Sequence, residues 1–177
     1  LAAPRDEATL RSQLRQAVAI DDGPSLVRYR KGSMPAPIEA LETLEGMDWL
    51  YRSHKQGAGK RVLLVAAGAM AEPMLAAAAQ LEALGYVPDV IDPCWLLPIN
   101  PALVELTRGY DLVVSAEDGL VDGGFGSALR DQMELAKLFV PTVRIGIAKQ
   151  FLDTATRAQL MADMGMDSSG IVARVQD

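Results

Sequence analysis

The sequence predicts an α/β fold in which a mostly parallel sheet lies between two layers of helices. Two observations carry this prediction. Apolar segments of strand length alternate regularly with helical segments from Val62 to Ile145, and Val62–Ala67 is continuously apolar, as in a strand that is buried on both faces. Half of the 177 residues are apolar, which is enough to form one good core.

The first 32 residues predict a partial strand–helix–strand unit. The predicted strands are Leu1–Ala3 and Ser25–Tyr29, and Asp6 is the expected cap of the helix between them. The apolar face of this helix consists of Leu10, Leu14, Ala17 and Val18. Two parallel strands cannot cover a sheet and the chain opens on Leu1, so we expect a fragment whose first module has lost its earlier strands.

Residues 33–60 are expected to form a linker between this remnant and a main domain at 61–177. The linker is polar and contains Pro35 and Pro37. We predict a short helix over Ile38–Leu44 and an edge strand over Met47–Arg52.

The main domain is predicted from its strand and helix signals in order. The expected strands are Val62–Ala67, Val87–Ile91, Asp111–Ala116 and Val140–Ile145. The expected helices run from Ala71 to Leu84, from the Asn100-Pro101 start, from a Ser127 cap to Leu138, from near Thr154 to Gly165, and from an Asp167 cap.

Composition excludes several classes of function. A net charge of -6 without a basic patch argues against nucleic-acid binding, and the longest apolar runs are about half of a membrane span. With no secretory leader and one cysteine, Cys94, we expect a cytoplasmic protein without a cysteine-based zinc site. Cys94 is expected to be a buried small residue, and the only histidine, His54, to be solvated in a loop.

The stretch from Glu117 to Ser127 is rich in glycine and follows a predicted strand. By itself it favours a packing turn over a phosphate cradle. Glu117 and Asp118 stand at the carboxyl end of that strand, where α/β proteins usually bind ligands. Adjacent acids point in different directions and no third ligand is near in sequence, so we expect a turn-capping or interface role rather than a metal site.

An ordered series of motifs runs along nearly the whole chain: Ala2-Ala3-Pro4-Arg5-Asp6, Val27-Arg28-Tyr29-Arg30-Lys31-Gly32, Val62 to Met70, Val90 to Ile99, Glu117-Asp118-Gly119 and Gly123 to Ser127. This series resembles the C-terminal portion of transketolase-like, thiamine-diphosphate-dependent enzymes, and among them the 1-deoxy-D-xylulose-5-phosphate synthases. The resemblance extends to the tail of the family's pyrimidine-binding domain.

This resemblance implies a parent enzyme that condenses pyruvate with D-glyceraldehyde 3-phosphate, with loss of carbon dioxide, on a route to isoprenoids and thiamine. It implies thiamine diphosphate and Mg²⁺ as cofactors and a homodimeric parent, with no nucleic-acid or membrane partner. The family's cofactor motif and active-site histidines have no match in this chain. We therefore expect the fragment to bind no cofactor, to contain no catalytic residue and to be inactive alone, with a structural or dimerisation role.

The resemblance also implies one substrate site. The family's Arg-Tyr-Pro-Arg-Gly segment, whose second arginine is expected to hold the substrate phosphate, falls on Arg28-Tyr29-Arg30-Lys31-Gly32. Lys31 is the first candidate and Arg28 the second. Lysine in place of arginine keeps the charge but loses the bidentate fork, and Arg30 stands where the family has proline.

Two other functions remain open at this point. The chain could be the equivalent domain of a transketolase or of the beta subunit of a 2-oxoacid decarboxylase. It could also be a free-standing module that binds a small anion or a partner at the glycine turn.

Overall fold

The structure is a computed structural model that describes residues 1–33, 35–54 and 59–177. In these ranges six strands form one sheet with the order β1-β2-β4-β3-β5-β6. The strands are β1 Glu42–Leu44, β2 Met47–Arg52, β3 Arg61–Ala67, β4 Val87–Asp92, β5 Leu112–Leu120 and β6 Thr142–Ile147. The pairs within β3 to β6 are parallel, whereas β1 pairs with β2, and β2 with β4, in antiparallel fashion.

Helices cover both faces of the sheet, which confirms the predicted fold class. They are α1 Glu7–Ala19, α2 Ala71–Ala83, α3 Pro101–Thr107, α4 Phe125–Leu135, α5 Arg157–Asp163 and α6 Ser168–Gln176. Successive side chains of β3 point to opposite faces, so Leu64 packs with the cluster under α2 and α6 and Leu63 with the cluster under α3 and α4. No helix in the described ranges combines the length and apolar character needed to cross a membrane.

The linker prediction was wrong in two respects. The segment Ile38–Leu44 contains β1 instead of a helix, and β2 is therefore the second strand of the sheet instead of its edge. Glu45 and Gly46 both have positive φ, at 52° and 77°, and they join β1 to β2 as a two-residue hairpin turn. The division at residues 32 and 60 stays a prediction, and Met34 and residues 55–58 of the predicted linker lie outside the described residues.

The glycine-rich stretch also differs from the prediction. β5 continues to Leu120, because β6 pairs with it beyond an irregularity between Ala116 and Leu120. α4 begins at Phe125 with Gly124 as its cap, so Ser127 is not the cap. The Ser127 hydroxyl instead donates to the Val121 carbonyl at 3.0 Å.

The N-terminal unit keeps its helix but loses most of its strands. Asp6 caps α1 as predicted, in a capping box with Thr9. The two predicted strands reduce to a parallel bridge between Ala2 and Val27. The predicted apolar face is largely uncovered, since the side chains of Leu14 and Val18 are exposed and Gln13 is the buried residue of α1.

A buried ionic cluster attaches this unit to the domain. The Arg5 side chain is 5% exposed, and its Nη1 donates to Asp48 Oδ2 at 2.6 Å and to Asp92 Oδ2 at 2.9 Å. Its Nε donates to the Ile38 carbonyl and lies 3.6 Å from Asp6 Oδ2. One guanidinium thus contacts carboxylates from the cap of α1, from β2 and from β4.

Replacing Arg5 should destabilise the fold strongly. We expect Arg5→Met to lower the free energy of unfolding by about 3–5 kcal/mol, because buried carboxylates would lose their counter-charge. Arg11→Met is the matched control, since Arg11 pairs with Glu7 in an exposed i,i+4 contact and should cost below about 1 kcal/mol. Urea denaturation at neutral pH measures both, and equal losses would contradict the assigned role of Arg5.

Asp92 should make stability depend on pH. Complete burial, and to a smaller extent repulsion from Asp48, raise the pKa of Asp92 above its ordinary value of 3.8. The attraction of Arg5 and the hydrogen bond from the Cys94 N–H act in the opposite direction and lower the pKa, and the net result is a pKa of about 6. The folded state therefore binds the Asp92 proton more tightly than the unfolded state does. The stabilisation from this proton is complete below pH 3.8, the ordinary pKa, and is lost as the pH rises through about 6.

The measurement compares the wild-type chain with Asp92→Asn in urea denaturation from about pH 4 to about pH 7. The wild-type chain should lose stability relative to the variant across this interval, since asparagine binds no proton. If the difference in free energy of unfolding between the two chains stayed constant with rising pH, or shifted in favour of the wild type, the raised pKa of Asp92 would be contradicted.

Candidate anion-binding site

A cavity of about 260 Å³ opens at the carboxyl ends of β3 and β5. Ala67 and Ala69 line it where β3 ends, and Asp118 lines it from the end of β5. From β3 the chain passes through α2 to β4, which lies on one side of β3 in the sheet. Strands β5 and β6 lie on the other side of β3. The cavity therefore lies at the point where the strand order reverses, which is the usual ligand position in open α/β sheets.

Basic side chains dominate this cavity. Arg28, Arg30, Lys31 and Arg157 line it together with a single carboxylate, that of Asp118. The predicted candidates Lys31 and Arg28 are thus brought to one cavity. Four cations against one anion form a positive site in a chain whose net charge is -6. Guanidinium and ammonium groups are the donors that phosphate and carboxylate ligands prefer.

The backbone of the N-terminal segment fixes the position of Arg28. The Arg28 N–H donates a hydrogen bond to the Ala2 carbonyl at 2.9 Å, and the Ala2 N–H donates to the Leu26 carbonyl. The Arg28 guanidinium packs against the backbone of Gly119, where an added Cβ would lie 2.6 Å from Arg28 Nη1. Arg28 also lines a second cavity, which contains Glu117 and Gly124. The basic segment and the glycine-rich stretch are therefore neighbours.

Arg30 and Lys31 differ in their surroundings. Arg30 Nη2 donates to the Ser33 carbonyl at 2.7 Å, and its Nε is buried without a hydrogen-bond partner in the described part of the chain. Lys31 is exposed and lines the cavity. Its ammonium group is therefore available to a bound anion.

Glu117 and the glycines form a close-packed turn. Glu117 is 4% exposed, and its Oε1 accepts a hydrogen bond from the Gly126 N–H at 3.1 Å. A Cβ on Gly124 would overlap Glu117 Oε1 and the Leu120 carbonyl oxygen. Glu117 thus caps the turn, and the glycines provide the space for it.

Asp118 has a different partner, which sequence reasoning missed. Its Oδ2 lies 2.8 Å from Nη1 of Arg157, the first residue of α5. Arg157 follows the Thr156 cap in a polar stretch, and no local pattern indicates that it returns to the end of β5. The tertiary fold alone brings Arg157 to the cavity.

The remaining candidates point away from catalysis. Burial raises the pKa of the Cys94 thiol above its ordinary value, so the thiol is held protonated. His54 is exposed and its ring contacts Tyr51 edge-on. Across residues 1–33, 35–54 and 59–177, no three His, Cys, Asp or Glu side chains come together as a metal-binding group.

Comparison with known proteins gives a single family. Residues 52–171 match the family described as Transketolase, C-terminal domain. The chain is 42% identical over 175 residues to a 1-deoxy-D-xylulose-5-phosphate synthase of Frankia casuarinae, and 41% identical over 177 residues to the enzyme of that name from Corynebacterium glutamicum. These alignments cover 99% of this chain but 27% and 28% of the relatives, so the chain spans about a quarter of their length.

Solved structures agree on the fold. A structure described as a split gene transketolase, inactive beta4 tetramer, has a TM-score of 0.75 and 28% identity, and the match covers 99% of this chain and 55% of that one. A transketolase of Campylobacter jejuni has a TM-score of 0.67 at 21% identity, over 99% of this chain and 25% of that one. The latter match is evidence of the fold only.

The packing of the glycine turn can be tested by adding one methyl group. Gly124→Ala should lower the free energy of unfolding by about 1–3 kcal/mol, because the Leu120 carbonyl is backbone and cannot move aside cheaply. Gly23→Ala is the matched control, since a Cβ there meets nothing within 4 Å, and it should be neutral or stabilising by up to about 1 kcal/mol. Thermal and urea unfolding measure both, and an equally stable Gly124→Ala chain would refute the close packing.

Proposed function

The chain belongs to the transketolase C-terminal domain family, and from this premise we propose that it is the C-terminal part of a 1-deoxy-D-xylulose-5-phosphate synthase. The whole enzyme would condense pyruvate with D-glyceraldehyde 3-phosphate, release carbon dioxide and form 1-deoxy-D-xylulose 5-phosphate. The observation that carries the proposal is identity of 41–42% to synthases over 99% of the chain. We further propose that the whole enzyme is a cytoplasmic homodimer.

The contribution of this chain to substrate binding is electrostatic. Lys31 and Arg28 line one cavity, and each carries a cationic group. We assign them to the phosphate of D-glyceraldehyde 3-phosphate, because an exposed ammonium and a guanidinium form charge-assisted hydrogen bonds with phosphate oxygens. Lys31 would supply a point charge, and Arg28 would be oriented by its backbone bond to Ala2 and its packing on Gly119.

We propose that the cofactor is bound by parts of the enzyme outside this chain. Thiamine diphosphate with Mg²⁺ would supply the carbanion chemistry of the whole enzyme, but the described residues include no metal-binding group of His, Cys, Asp or Glu. We therefore assign no step of that chemistry to this chain and give it a structural and substrate-orienting role. The inactive beta4 tetramer of the split gene transketolase supports the proposal that the isolated chain is inactive.

A second candidate is the corresponding part of a transketolase or of the beta subunit of a 2-oxoacid decarboxylase. The TM-score of 0.75 to the split gene transketolase favours the transketolase form of this alternative. The higher identity to the synthases, at 42% against 28%, favours the first proposal.

The isolated chain should neither bind the cofactor nor turn over substrate. We expect isothermal titration with thiamine diphosphate and Mg²⁺ to give no heat of binding, and pyruvate to remain unconsumed in the presence of D-glyceraldehyde 3-phosphate. Binding in the micromolar range, or product formation by the isolated chain, would overturn the assignment of the cofactor to other parts of the enzyme.

A chimera tests the proposed activity directly. This chain would replace the matched quarter of the Corynebacterium glutamicum synthase, and Lys31→Gln would be compared with Arg108→Gln, an exposed arginine paired with Glu105. We expect the chimera to form 1-deoxy-D-xylulose 5-phosphate, and Lys31→Gln to raise the KM for the phosphorylated aldehyde by about tenfold while sparing the KM for pyruvate.

Two results of this experiment would count against the proposal. A chimera that processes ketose phosphate donors in preference to pyruvate would favour the transketolase alternative. An active chimera in which Lys31→Gln behaves like Arg108→Gln would remove Lys31 from the substrate site.

A further inference from the structure

We infer that Arg157 is a further anion-binding residue of the Lys31 cavity and supplies the guanidinium fork that lysine at position 31 lacks. The inference rests on the proposed phosphate site and names a specificity residue for it. Lys31, Asp118 and Arg157 line the 260 Å³ cavity, and the same three residues line an adjoining cavity of about 400 Å³. Arg157 therefore lies on the wall that the two cavities share with Lys31.

The geometry of Arg157 leaves it able to bind a ligand. Its Nη1 lies 2.8 Å from Asp118 Oδ2. Its side chain is 41% exposed. A planar guanidinium that is held at one nitrogen can still direct two parallel N–H groups at a phosphate, which an ammonium group cannot do.

Asp118 is a positioning residue for Arg157. It stands near the end of β5, where the pairing with β6 is irregular, and its side chain is 24% exposed. Holding the guanidinium in one orientation reduces the side-chain entropy that a bound anion would otherwise have to overcome. Because Asp118 is the single carboxylate among the five charged side chains of the cavity, the site retains three positive charges in excess.

The ligand class follows from this arrangement. A dianionic phosphomonoester matches the excess of positive charge among the lining residues better than a singly charged carboxylate does, and its three terminal oxygens accept charge-assisted hydrogen bonds from both guanidinium and ammonium groups. In the proposed synthase the phosphomonoester is that of the aldehyde substrate, so Arg157 would favour phosphorylated over unphosphorylated aldehydes.

The test titrates the full chain with inorganic phosphate, followed by backbone amide shifts, at an ionic strength kept constant with chloride. Arg157→Gln should raise the Kd for phosphate by roughly three- to tenfold, and Arg157→Lys should fall between it and the wild type because it restores charge without the fork. Arg108→Gln, an exposed arginine in a comparable ion pair, should leave the Kd unchanged. Unchanged α5 amide shifts without phosphate separate a binding effect from a folding effect.

The outcomes distinguish this inference from the proposed function. If Lys31→Gln weakens phosphate binding and Arg157→Gln behaves like Arg108→Gln, the inference falls and the Lys31 site stands. If Arg157→Lys binds as tightly as the wild type, the fork has no role. If the wild-type chain shows no saturable binding, both anion assignments fall, while synthase activity is decided separately by the chimera. If the chimera is inactive but Arg157→Gln still weakens phosphate binding by the isolated chain, this inference stands and the proposed synthase function does not gain support.

Discussion

The guanidinium of Arg5 determines how the N-terminal segment sits on the sheet. It bonds carboxylates of β2 and β4 and a carbonyl of the intervening chain, and it lies beside the cap of α1. Without it, Asp48 and Asp92 would be buried side by side with no cation between them, which costs several kcal/mol. Arg5 follows closely after Ala2, whose backbone holds Arg28. The geometry of the cation-lined cavity therefore depends on a charge that does not itself line the cavity.

Charge is distributed unevenly in this molecule. The chain carries a net charge of -6, yet one cavity gathers four basic side chains from the segment after α1 and from α5. A local positive site in an acidic protein concentrates small anions without attracting long polyanions such as nucleic acid. The position of the cavity at the reversal of strand order adds a geometric reason for a ligand to bind there.

Local signals in the sequence predicted most of the elements, and failures occurred where tertiary contacts decide. Strand β3 was predicted correctly from the apolar run Val62–Ala67. Three helices were predicted correctly from their caps Asp6, Asn100 and Asp167. These signals succeeded because they depend only on residues that are close in the sequence. The β1–β2 hairpin was missed, since the positive φ of Glu45 has no sequence signature. In the site, Lys31 and Arg28 were predicted from a family resemblance. Arg157 is 126 positions from Lys31 and lines the same cavity only because of the tertiary fold.

The cavity unites side chains from both sides of the predicted domain division. Arg28 and Lys31 belong to the short N-terminal unit, and Asp118 and Arg157 to the main domain. Because residues far apart in the sequence line one cavity, exchanging the chain before the linker for that of a relative would replace one part of the cavity wall and leave the other part unchanged.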